Sequence, residues 1–186
     1  MALAACRRTI RASSSSIRAV HLRQPEEARR LADEAGEALR QAQEALAPHP
    51  ALVGSGPLND AAKEYAEARL TAAMVGEHPL PSAAELGVTA ASWLNGLAEA
   101  ASELRRHLLD RLRAGDLDHS ETLLATMDDA YGLLVTMDYP DAVSNGLRRT
   151  TDALRAVLER TRGDLTTTLL QARLQAALDR AASTLD

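Results

Sequence analysis

A chain of 186 residues with a formal net charge of −5 has room for one domain with a sizeable core, here taken as residues 1–186. Its 37 Ala and 30 Leu stand against 7 Val, 2 Ile, 3 Tyr, 1 Trp and no Phe, so strand-filling residues are nearly missing and only an all-α fold remains. No apolar run approaches the roughly 18 residues of a membrane span, and the lone Cys6 can form neither an internal disulfide nor a thiolate metal site, which points to a reducing, cytoplasmic setting.

The spacing predicts a first helical run from Thr9 to Ala47, relaxed near Gln24-Pro25 and stopped at Ala47-Pro48-His49-Pro50. Its opening is basic. Residues 1–25 hold Arg7, Arg8, Arg11, Arg18 and Arg23 and no acid, whereas the remainder carries 16 basic and 26 acidic residues. That asymmetry fits an electrostatic footprint for nucleic acid, an organellar transit peptide, or an ordinary solvated helix start. Basic residues are 20 Arg and a single Lys, Lys63, and guanidinium suits phosphate. Ser13 to Ser16 is a low-complexity run, and no internal repeat is present.

After a loop at Gly54-Ser55-Gly56-Pro57, Asn59 or Asp60 caps a second helix running to about Val75, where Gly76-Glu77-His78-Pro79 stops it. Pro81-Ser82-Ala83-Ala84-Glu85 makes a short capped turn. A third long helix spans Thr89 to Arg113 and is closed by Gly115. Ser120 caps a fourth, which reaches about Met137. Tyr139-Pro140-Asp141 opens a fifth that ends near Arg162-Gly163. The last helix, Leu165 to Leu185, sets Leu170, Leu174, Leu178, Ala181 and Leu185 along one side. Six or seven helices with short connections describe a bundle.

Two of these helices carry the chemistry. On the third, Leu94, Leu97, Ala101, Leu104, Leu108 and Leu112 recur at three- and four-residue steps as a core stripe. Turning about 100° per residue from Leu97 puts Glu99 near 200° and Glu103 near 240°, together on the opposite face. On the second helix Leu58, Ala61, Tyr65 and Ala72 form the apolar side, and Asp60, Glu64, Glu67 and Thr71 occupy the other arc. Glutamates from two such arcs can converge on a hard divalent cation; the same pattern also describes two solvated faces. A di-iron bundle needs Glu-x-x-His pairs, and none of His21, His49, His78, His107 or His119 lies three residues after a Glu. His107 follows Glu103 by four, a single pair that is common by chance. Phosphate-loop, nucleophile-elbow and His-Glu-x-x-His motifs are missing.

The run Glu64-Tyr65-Ala66-Glu67-Ala68 resembles the Glu-Tyr-Val-Glu-Ala motif of Trax, the catalytic partner of translin. Trp93-Leu94-Asn95-Gly96-Leu97-Ala98-Glu99-Ala100-Ala101-Ser102-Glu103-Leu104-Arg105-Arg106 resembles that family's Tyr-Leu-Leu-Gly-Val-Ala-Asp-Leu-Thr-Gly-Glu-Leu-Met-Arg. Gly115-Asp116-Leu117-Asp118 follows as Gly-Asp-Ile-Asp does there, and the Ser14 to His21 and Val157 to Gly163 stretches are loosely similar. The likeness is strongest over residues 5–163 and fades in the C-terminal helix at 165–186.

The resemblance implies a six- to seven-helix translin-type subunit that assembles into a hollow homo-octamer and binds single-stranded RNA and DNA. It implies an endoribonuclease dependent on Mg²⁺ or Mn²⁺, with Glu64, Glu67, Glu99 and Glu103 as catalytic and metal-ligating acids. Glu99 departs from the pattern, standing where the family has Asp. Translin itself lacks these acids and only binds, so the presence of all four here points to the Trax-like type; a non-catalytic translin-like binding protein is the alternative, and a plain protein-interaction bundle a third. The resemblance also sets the basic stretch inside the first helix of the fold rather than in a transit peptide. Phosphate contacts fall to Arg7, Arg8, Arg11, Arg18, His21 and Arg23, with Arg105 and Arg106 next. Tyr65, Trp93, Tyr131 and Tyr139 are few stacking platforms, so backbone recognition with little sequence preference is expected.

Overall fold

The structure, a computed structural model, describes residues 1–49 and 56–183. Among these, eight helices follow in order and no strand occurs: α1 (Ala2–His21), α2 (Pro25–Leu46), α3 (Gly56–Val75), α4 (Ala83–Leu86), α5 (Ala90–Arg113), α6 (Leu117–Leu134), α7 (Asp141–Ser144) and α8 (Leu147–Ala182). Since α4 and α7 are single turns of four residues, six long helices make the bundle. Expectations at Pro50, Gly54, Ser55 and Leu185 lie outside the described residues. No described helix is long and apolar enough to cross a membrane.

Small residues let the first two helices close on each other. Arg23, at φ 57, takes the left-handed turn after α1, and Pro25 opens α2 with its φ already helical. Ser13 and Ser16 of the serine run are buried, and Ser16 Oγ donates to the Ala28 carbonyl at 2.7 Å. A stretch that reads as low complexity is therefore a packing face. The central helix is α5, packed on α3, α6 and α8, with Leu97, Ala101, Leu104 and Leu108 buried as its stripe requires. Thr89 caps it, and Trp93 Nε1 donates to the Pro81 carbonyl at 2.8 Å, fixing the capped Ser82–Glu85 turn of α4 beside it.

Some boundaries differ from expectation. The basic opening is helical from Ala2 rather than Thr9. α6 is capped by Asp116, which accepts from the His119 amide; Ser120 is buried one turn later, and the helix stops at Leu134, short of Met137. Gly163 ends nothing, because α8 is one helix of 36 residues. Glycine costs about 1 kcal/mol inside a helix. Here packing outweighs it: Leu158, Thr161 and Leu165 are buried on both sides of Gly163, and Arg105 binds Thr161 Oγ1 at 3.0 Å and Asp164 at 2.7 Å across it.

Past Leu169 the helix runs on beyond the body of the bundle. Leu170, Leu174 and Leu178 are 58%, 61% and 56% exposed, so this Leu row does not pack on the body of the chain.

Candidate metal centre

The acids converge because α3 and α5 cross almost backbone to backbone. A Cβ placed on Gly96 would lie 2.8 Å from Ala66 Cβ, 2.9 Å from the Glu67 nitrogen and 3.0 Å from the Lys63 carbonyl. Only glycine fits there. At that crossing Glu64 and Glu67 of α3 and Glu99, three residues past Gly96 on α5, each present a carboxylate oxygen, all within 4.8 Å of one another. Part of the polar arc of α3 is thus an interior seam: Thr71 is buried and Glu67 is 8% exposed, while Glu64 is half-buried and Asp60 exposed.

Three carboxylates so close cannot all be charged without help. Burial first, and then the charges of Glu99 and Glu64, push Glu67 up to about 9, so it holds its proton at neutral pH. Burial also raises Glu64, opposed by the neighbouring ammonium of Lys63. Lys63 Nζ donates to Glu99 Oε1 at 2.8 Å and lies 3.5 Å from Glu64 Oε1. Its burial disfavours the charge, but the bond to Glu99 and the acids around it prevail and keep it above the ordinary lysine range. One proton and one ammonium therefore do what a divalent cation would do. The all-oxygen donor set suits Mg²⁺ or Mn²⁺ and not a softer metal. The residues fit the implied ion.

Glu103 stands one turn along α5 and is not part of that convergence. Its Oε2 accepts from His21 Nε2 at 2.6 Å, which draws the side chain toward the end of α1. His21 Nδ1 lies 3.2 Å from His107 Nε2, and the two rings stack with centroids 5.1 Å apart. Burial, then His21, lowers His107 to about 4, so it is neutral at pH 7. Glu103 also borders a shallow groove of about 570 Å³ along α5, shared with Arg106 and Arg113.

The expected phosphate contacts divide. Arg7, Arg8, Arg11, Arg18, Arg23 and Arg106 are exposed, and Arg7, Arg11 and Arg18 fall within about 40° of one another around α1, a basic row. His21 does not belong with them: its ring is only 5% exposed and both nitrogens are engaged. Arg105 is committed to Thr161 and Asp164. Tyr65 is buried against Gly36, which removes it as a stacking platform. The Glu103–His21 contact spans 82 residues, and beyond the four-residue spacing of Glu103 and His107 no sequence signal marks it.

No family model matches the chain. It is 33% identical over 136 residues, 73% of its length, to the uncharacterized protein MJ0175 of Methanocaldococcus jannaschii, and spans 60% of that relative's length. Among solved structures, AfC3PO shares 33% identity at a TM-score of 0.83, covering 93% of this chain and 90% of its own. AfC3PO in complex with duplex RNA gives 32% identity and a TM-score of 0.79 over 93% and 89%. Apo-NeC3PO, at 20% identity and a TM-score of 0.79 over 90% and 87%, has the same fold. With a third of its residues shared along nearly the whole length of a C3PO subunit, the chain belongs to the C3PO (translin) family.

Proposed function

We propose that the chain is a metal-dependent endoribonuclease of the Trax-like type, cleaving single-stranded RNA inside a closed homo-oligomer, with an octamer as the expected size. The observation that carries this is the convergence of Glu64, Glu67 and Glu99 in one seam, at positions where the sequence resembles the catalytic acids of Trax. Those three would hold Mg²⁺ or Mn²⁺. Such a cation supplies Lewis acidity to the phosphodiester and to its attacking water. Glu103, whose Oε2 accepts from His21, would orient that water and take its proton. Arg106 and Arg113, in the groove beside Glu103, face the strand's phosphates, and the Arg7, Arg11 and Arg18 row extends the same attraction along α1. That AfC3PO was captured with duplex RNA supports an RNA ligand and makes strandedness part of the test.

Labelled single-stranded and duplex RNA, incubated with Mn²⁺ or with EDTA, decide it. Expected is cleavage in Mn²⁺ only, faster on the single strand, with binding in EDTA that weakens steeply as salt rises. One observation favours a second reading. The Lys63 ammonium already neutralises Glu99 and Glu64, as a site that binds RNA without cutting it would need. Salt-sensitive binding with no cleavage in Mn²⁺ would establish that reading instead.

The bare end of α8 supports assembly. An apolar row of Leu170, Leu174 and Leu178 in water is costly, and a second copy is the natural cover. Light scattering should give a mass several times 19.9 kDa at micromolar concentration, falling to that of smaller units when the three leucines become Asp. A wild-type mass near the monomer rules the shell out.

A further inference from the structure

Glu103, on the central helix α5, meets an unusual neighbour for a carboxylate. The His21 ring is 5% exposed and is held at both nitrogens, by Glu103 Oε2 at 2.6 Å and by His107 Nε2 at 3.2 Å. A carboxylate only accepts, so the proton facing Glu103 sits on His21 Nε2 whatever the charge of the ring. His107 meets the other nitrogen in either case, because a neutral imidazole offers a donor or an acceptor according to tautomer. The ring therefore cannot flip without breaking both bonds. A free glutamate on a helix turns about three side-chain torsions; this one is pinned through a single oxygen by a short, charge-assisted bond to a buried partner. Among the described residues no other hydrogen bond is made by the Glu103 carboxylate, so its second oxygen is the one left for water or substrate.

We propose that His21 is a positioning residue for Glu103, and that the chain Glu103–His21–His107 fixes which carboxylate oxygen acts in the reaction proposed above. The pattern is that of outer-shell histidine–carboxylate pairs, in which the partner's orientation sets the reactivity of the group in front of it. It rests on the nuclease reading only for its kinetic consequence; the bond itself is measurable without turnover. Nothing in the Glu64, Glu67 and Glu99 convergence requires His21, so RNA binding and metal affinity are not expected to depend on it.

Three variants separate positioning from packing. His21→Phe keeps the ring volume without a donor, His21→Gln keeps an amide N–H near the Nε2 position, and His21→Ala removes both. In Mn²⁺, Phe and Ala should lower kcat by about 10- to 100-fold with KM unchanged, and Gln should recover most of the loss. Equal activity in all three, or loss that tracks Tm rather than the donor, overturns the proposal. Nitrogen-15 NMR of the wild-type ring gives the independent readout: His21 Nε2 should carry a slowly exchanging proton that is lost in Glu103→Ala. A ring protonated on Nδ1 alone sinks the geometry. If the wild-type chain cleaves no RNA, the nuclease reading falls by itself and the NMR result decides the positioning of Glu103.

Discussion

Replacing Glu67 with Gln should abolish Mn²⁺-dependent cleavage and, at the same time, make the metal-free protein more stable. The two effects share one cause. Glu67 is buried among like charges and keeps its proton up to about 9 in the fold, against 4.5 when exposed. Because the folded value is the higher one, its contribution to stability is fully present below pH 4.5 and drains away as pH rises through 9. Metal-free wild-type protein should therefore lose Tm across that window, and Glu67→Gln should not. Near pH 8 the variant gains on the order of 2 kcal/mol, about 4–8 °C for a chain of this size. With Mn²⁺ the sign reverses for the wild type, since binding needs ionised carboxylates and strengthens as pH rises. The variant should show almost no Mn²⁺-induced shift. Thermal melts from pH 5 to 9, with and without Mn²⁺, measure all of this; parallel slopes in both proteins would mean that Glu67 does not carry the proton.

Gly96→Ala should do comparable damage with one methyl group. The added Cβ would sit under 3.0 Å from a backbone nitrogen and a neighbouring Cβ, and neither can swing aside as a flexible side chain would. α3 and α5 must part. Overpacking of this kind costs about 1–3 kcal/mol, a drop of roughly 2–12 °C in Tm. The larger consequence is geometric. The carboxylates of Glu64 and Glu67 on one helix and Glu99 on the other lose their 4.8 Å convergence, so both the Mn²⁺ shift and cleavage should vanish while the protein stays helical by circular dichroism. A variant that retains the Mn²⁺ shift would show that the crossing does not set the site.

The helices were legible because Ala and Leu at 3.6-residue spacing leave few alternatives, and so were the acid arcs, since Glu64, Glu67, Glu99 and Glu103 share faces by simple rotation. What periodicity does not carry is which face meets which. Glu67 and Thr71 sit opposite an apolar side, the usual mark of solvent, yet both are buried because Gly96 lets α5 cover them. Spacing allowed the two arcs to converge on a cation or to face solvent, and only the resemblance favoured convergence before the fold did. Gly163 was misread for the opposite reason: its local propensity is poor, and the compensation comes from Arg105 and buried neighbours that no short window contains. The link between Glu103 and the end of α1 is purely tertiary.

Lys63 gives the centre a chemical handle. It is the chain's only lysine, so an amine-directed acylating reagent has a single side chain to find. In the fold its ammonium is clamped to Glu99 and kept protonated by the acids around it, and a protonated amine is not a nucleophile. A divalent cation entering among Glu64, Glu67 and Glu99 would repel that ammonium, release it toward solvent and return it to ordinary lysine basicity. Acylation at position 63 should then quicken, read as a mass increase on one peptide. The same residue that stands in for the cation thus reports its arrival, and does so with no RNA in the tube.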